Sequence, residues 1–240
     1  MKRVLSVIAL ALLSFGFAQS EIEANVINFY PDVKKSAKLS QSGYQLLVTN
    51  INRILLESSQ GATDRKHFVL YGIPNIFEEH IIPTVPPIHK VLLEVQLVVG
   101  DVSEKRTYGS YTYTHLVGVN RNKDRAILQA LRSLKTNTEV QKFLRDSKKK
   151  IFDYYKNNCN VLITRASVLA ELGKYMEAIE KLDAVPNVSE DCFYMAQSKI
   201  TEIAKIQNQN TRAKDRQRPN EDTKSGDSKE DKYSWIESEK

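Results

Sequence analysis

Glu78-Glu79-His80 is the densest group of chemistry-bearing residues in the chain. Two carboxylates beside an imidazole are the residue types that exchange protons in general acid–base hydrolysis. The group adjoins Ile81 to Ile88, which carries Pro83, Pro86 and Pro87 and is expected to be a loop or an edge segment. A solvated loop is the preferred reading over a catalytic one. His67, His80, His89 and His115 are dispersed, and none has a second ligand type at metal spacing. His89 and His115 could face each other across a hairpin as a zinc pair, but ordinary polar surface outweighs that. The chain holds no Gly-x-Ser-x-Gly elbow, no Walker loop and no His-Glu-x-x-His. No catalytic, metal or cofactor-binding residue is therefore assigned, and no cofactor is expected.

Two further groups could bind rather than react. Tyr111 and Tyr113, next to Tyr108, share one face of a strand by alternation. Exposed together they would suit a sugar or a protein partner, and they could equally cover a core. The basic run Lys148-Lys149-Lys150, with Lys142 and Arg145, lies on a helix whose other face holds Phe143, Ile151, Phe152 and Tyr155. It reads as a solvated charged face rather than a lipid or partner contact.

The compartment bears on all of these. Met1-Lys2-Arg3 is a short positive start, Val4 to Phe17 is apolar and uncharged, and Gly16-Phe17-Ala18 supplies small residues before Gln19. That is the layout of a secretory signal peptide over residues 1–18, too short and too small-residue-rich for a stable membrane span. The mature chain is expected to begin at Gln19 and to be periplasmic or secreted, with no transmembrane span. No Cys sits at the cleavage point, so no lipid anchor is expected. In an oxidising compartment the two cysteines, Cys159 and Cys192, are expected to form a disulfide. The net charge is +6, and Lys2 and Arg3 leave with the signal peptide. Eight basic and eight acidic residues between Asn208 and Lys240 cancel, so the body is only mildly basic and gives no case for nucleic acid.

These groups are placed by elements of two kinds. Phe29-Tyr30-Pro31-Asp32 reads as a turn. Leu46, Leu47, Ile51, Ile54 and Leu55 recur at helical spacing between Gly43 and Ser58. A short apolar strand follows at His67–Ile73, and a long hairpin spans Lys90 to Val119. Asn122 or Asp124 can cap a helix lined by Ala126, Ile127, Ala130 and Leu131. Helical spacing then resumes at Val140 and runs to Leu172; Tyr175–Leu182 and Glu190–Ile206 follow as two more helices. The fold class is α+β: a helix-plus-antiparallel-sheet domain over 19–135, an all-α helical-hairpin unit over 136–207, and a polar tail over 208–240. The tail has too few aliphatic residues to offset ordering entropy and is expected to be disordered. Its exceptions, Trp235 and Ile236, are a candidate docking motif.

The run from Ala166 through Gly173, Tyr175 and Ala178 to Leu182 resembles a tetratricopeptide helical hairpin. The resemblance implies close helix packing at Ala166 and Ala178, a glycine turn at Gly173, and a peptide-recognition surface in its fuller form. Only one copy is present, whereas a concave repeat array needs about three. Residues 43–134 resemble the small α+β domain of bacterial envelope accessory proteins, the curli-secretion lipoproteins and the lipoprotein activators of penicillin-binding proteins. The shared feature is the junction Leu116-Val117-Gly118-Val119-Asn120 running into a capped helix, with Asn120 where those proteins commonly have a second glycine. Asn tolerates left-handed geometry, so the turn is expected to survive. The C-terminal half is also similar to exported proteins of gut bacteria, a likeness that carries no activity with it. Together the resemblances imply an exported, non-enzymatic protein-binding accessory or scaffold of the cell envelope. The competing class is a periplasmic or secreted hydrolase or carbohydrate-active protein using the Glu78-Glu79-His80 loop.

Overall fold

A three-stranded antiparallel meander is the frame on which the first half of the chain folds. In the computed structural model, which describes residues 27–36, 38–58, 67–187 and 190–217, β2 (Phe68–Ile82), β3 (Ile88–Asp101) and β4 (Arg106–Asn120) pair in sequence order. A short β1 (Tyr30–Val33) joins parallel to Val69–Gly72 of β2. The turn expected at Phe29–Asp32 is therefore a strand: Pro31 has no N–H to donate, and an edge position tolerates that.

Cross-strand register sorts the side chains by face. Gly72, Leu97 and Tyr111 stand in one row, and Pro74, Val95 and Tyr113 in the next. Helices cover this face. Helix α1 (Gln41–Glu57) buries Leu47, Ile51, Ile54 and Leu55 of the expected stripe, while Leu46 is only half-buried. Ser40 caps it by accepting from the Gly43 N–H. Helix α2 (Lys123–Arg132) is capped by Asn122, whose Oδ1 accepts from the Arg125 N–H at 3.1 Å. Buried Asn50 donates to the Leu131 carbonyl at 2.8 Å, and Arg53 donates to the Leu134 carbonyl at 2.7 Å. Two side chains of α1 thus satisfy carbonyls at the open end of α2.

Gly118 sets how closely α2 lies on the sheet. A Cβ placed there would sit 1.8 Å from the Ala126 carbonyl oxygen and 3.0 Å from the Ala130 nitrogen. The glycine serves close approach of backbone to backbone, not a left-handed turn. Asn120 is not left-handed either: positive φ among described non-glycine residues occurs at Lys105 and His115. His115 marks a β4 bulge, where Tyr113 to Leu116 opposes Val95 to Leu93. The extra residue keeps Tyr113 and Leu116 on the same covered face.

The chain divides into two compact units, one from Ile27 to Lys150 and one beginning at Ile151. The boundary falls inside α3 (Thr138–Glu171) rather than before it at residue 136. The first turns of α3 belong with the sheet: the Phe143 ring stacks 6.1 Å from Tyr111, and Phe143 and Ser147 crowd Gly109. In the second unit, α4 (Tyr175–Asp183) packs against α5 (Glu190–Gln217). Ala166, Ala178 and Leu182 are fully buried, and Gly173 makes the turn at φ 76°. Cys159 and Cys192 are joined, their Cα atoms 5.7 Å apart.

Helix α5 also corrects the expected start of the tail. It continues to Gln217, ten residues into the stretch read as disordered, and Asn210 donates to the Tyr175 hydroxyl at 2.6 Å. Residues 1–18, Trp235 and Ile236 lie outside the described residues. Among the described residues no helix is long and apolar enough to cross a membrane.

Candidate functional site

The Glu78-Glu79-His80 group sits on a strand, not in a loop. Strand β2 runs on to Ile82 because Phe77 is accommodated as an extra residue, a bulge between the Ile76–Leu93 and Glu78–Leu92 pairs. The group therefore stands on a two-stranded arm, His80 opposite Lys90 and Ile82 opposite Ile88.

Alternation splits its members between the two faces. Glu78 and His80 share one face, where the His80 Nε2 lies 2.6 Å from Glu78 Oε1. Glu79 turns to the helix side, accepting from Lys123 Nζ at 2.6 Å, with His89 Nδ1 3.2 Å away. The Lys123 hydrogen bond, and after it that of His89, holds the Glu79 carboxyl below the usual carboxylate range. A carboxylate kept ionised and an imidazole occupied by its neighbour make a structural clasp between α2 and the arm. They do not converge on a common point where a substrate atom could sit. His89 stands opposite Asn120 and not His115, which is on the bulge five residues away, so the two histidines do not pair.

The tyrosines are core cover. Tyr113 is buried and donates its hydroxyl to the Lys135 carbonyl at 2.7 Å; burial pushes its ionisation up. Tyr111, half-buried, packs edge-on to it and bonds Glu139 and Asn137 through its hydroxyl. Neither is available as the exposed binding face that alternation allowed.

Two shallow clefts open elsewhere on the first unit. One of about 460 Å³ lies between β1 and α1, lined by Tyr30, Asp32, Tyr44, Gln45 and Thr49. There burial, and secondarily the Asp32 charge, raises the Tyr44 hydroxyl pKa. The other, of about 370 Å³, is bounded by Asn120, Arg125, Gln129 and Arg132. Neither includes Glu78, Glu79 or His80.

One residue of the basic run breaks the solvated-face expectation. Lys148 is 2% exposed, its Nζ has no hydrogen-bond partner among the described residues, and the Phe29 ring centroid is its neighbour at 5.8 Å. Desolvation pulls its pKa down to about 8. With a native value below the unfolded 10.5, the native state binds fewer protons between those pH values, so stability rises with pH across that window. Lys148→Met should therefore stabilise the protein by on the order of 3 kcal/mol at pH 7. The advantage should shrink above pH 8 and vanish near pH 10.5, as read by urea denaturation of both proteins across that range.

The second unit carries an uncovered apolar face. Val161 and Val168 of α3 and Leu172, one residue past its end, follow at spacings of seven and four, which puts them on one side. All three are exposed, as is Met176 just beyond the turn. The spacing that runs to Leu172 does not set these residues apart, because it serves core packing equally; only burial separates the two uses.

The chain matches no protein-family model and no curated protein.

Proposed function

We propose that this chain is an exported, non-enzymatic accessory protein of the bacterial cell envelope, binding a protein partner through its helical unit. The observation that carries the reading is the apolar stripe Val161, Val168, Leu172 and Met176, left in water along a helical hairpin. Stripes of this kind are covered by a partner helix or an extended apolar segment. Supporting it, the acid–base candidates are engaged with one another and with Lys123, on an arm open to solvent. The amino-terminal layout of residues 1–18 supports export, with Gln19 as the first residue of the exported form.

A photo-crosslinking residue at Val168, expressed in the native cell, tests both parts. It should give one reproducible crosslinked protein from the envelope fraction. Leu172→Asp should abolish that product, while Glu78→Gln and His80→Ala should leave it intact. A crosslink pattern unchanged by Leu172→Asp would sink the binding face. A hydrolytic activity lost in Glu78→Gln would move the protein to the enzyme class.

A further inference from the structure

The far end of the β2–β3 arm has no role in the reading above. Beyond the row of Glu79, Val91 and Gly118 the arm extends by three residue pairs and the turn 83–87. Ile81 is 61% exposed, Ile82 41% and Val85 fully exposed. From Ile81 to Ile88 there is no charged residue. This tip is ordered by its own bonds: the ladder closes at Ile82–Ile88, the Thr84 N–H donates to the Ile82 carbonyl, and the Thr84 hydroxyl donates to the Pro86 carbonyl at 2.7 Å. Three prolines further limit the freedom that binding would remove. An apolar convex tip held in one conformation is presented, not merely left uncovered.

The charges behind the tip identify what it meets. Lys90 stands two residue pairs below Ile88, across from Val119, and Arg121 leaves the end of β4 on the same side of the sheet end as the start of α2. Arg125 lies in the first turn of α2. Among the described residues these three cations make no ion pair, whereas Lys123 is bound to Glu79. Asp124 lies in the same first turn, and Glu78 has only the His80 imidazole beside it. At about 3.4 Å per strand residue, the Lys90 level stands roughly 10 Å or more behind Val85. Apolar groups that enter the acyl boundary go about 5–10 Å deep, leaving cations of such a collar at the level of the lipid phosphates. A protein pocket would need a concave match for this tip, while a bilayer surface needs only the depth profile. We infer that the arm tip (Ile81, Ile82, Val85) inserts into the surface of an anionic lipid bilayer, with Lys90, Arg121 and Arg125 resting on its headgroups.

An environment-sensitive fluorophore on Val85→Cys, in the full chain with its Cys159–Cys192 bridge intact, reads this residue by residue. The probe vesicles are phosphatidylcholine with about a third phosphatidylglycerol, against phosphatidylcholine alone. The label at 85 should brighten, shift blue and be quenched by a spin label on the upper acyl chain. A label on Thr112→Cys, exposed on the sheet, should stay in water. The combined Lys90→Glu, Arg121→Glu and Arg125→Glu change should weaken insertion on the anionic vesicles by about tenfold or more. A label at 85 that stays in water on both vesicles overturns the inference. So does insertion indifferent to the charge reversal, and so does a spectral change that depends on protein concentration without lipid, which would assign the tip to a second copy. A response to envelope protein but not to lipid assigns the tip to a protein partner and also overturns it. Loss of the Val168 crosslink would leave every one of these readouts unaffected.

Discussion

Gly118→Val is expected to unfold the sheet unit at temperatures where the wild type is intact. The Cβ alone would stand 1.8 Å from the Ala126 carbonyl oxygen, a backbone atom that cannot swing aside as a side-chain end can. Relief requires α2 to lift from β4. Lifting would uncover Ala126, Ile127, Ala130 and Leu131 and pull the Leu131 carbonyl from Asn50. Overpacking against a yielding neighbour costs about 1–3 kcal/mol, and a rigid one on both sides brings the expected loss to at least about 4 kcal/mol. Gly173→Ala provides the contrast. Among the described residues nothing lies within 4 Å of its added methyl, so the backbone conformation at φ 76° is what resists, at about 1–2 kcal/mol. Urea unfolding followed by circular dichroism would separate the two. Equal losses would show that α2 accommodates the side chain and that Gly118 is an ordinary strand residue.

Gly118 also marks where sequence reading succeeds and stops. Periodicity and caps are local, so the α1 stripe, the β3–β4 hairpin and the Asn122 cap were all legible from spacing and residue type. Interactions between distant segments were not. Pro31 reads as a turn until Val69–Gly72 offers it an edge. The polar Glu78-Glu79-His80 hides a strand whose alternation is reset by the bulge at Phe77. Polar Asn208–Gln217 has no stripe of its own, yet the helix persists and Asn210 reaches Tyr175. Lys148 is indistinguishable in sequence from Lys149 and Lys150, and only the fold buries the first and leaves the others exposed. The candidate site fared likewise. The residue types at 78–80 suggested proton chemistry, but the period of two sends neighbours to opposite faces, which divides the carboxylates instead of pairing them.

Removing the bridge is the second large effect to expect. Cys159 and Cys192 are 33 residues apart, and the link crosses from the middle of α3 to the first turn of α5, with the whole of α4 between. Closing a loop of that size removes unfolded-chain entropy equivalent to about 4 kcal/mol. The unit it ties is small, and close approach at buried Ala166, Ala170, Ala178, Ala184 and Ala196 supplies part of its packing beside Phe152, Tyr155, Leu162 and Leu182. A loss of about 4 kcal/mol is therefore a large part of what such a unit has. The paired Cys159→Ser and Cys192→Ser change should lower the thermal midpoint by well over 10 °C, most clearly in probes placed on α4. The exposed face of Val161, Val168 and Leu172 should lose its partner crosslink at the same temperature, because Val161 and Val168 stand on the same helix as Cys159. If the midpoint is unchanged while the crosslink is kept, the helices hold each other without the bridge. Its stabilising role would then be refuted, and the dependence of this unit on an oxidising compartment with it.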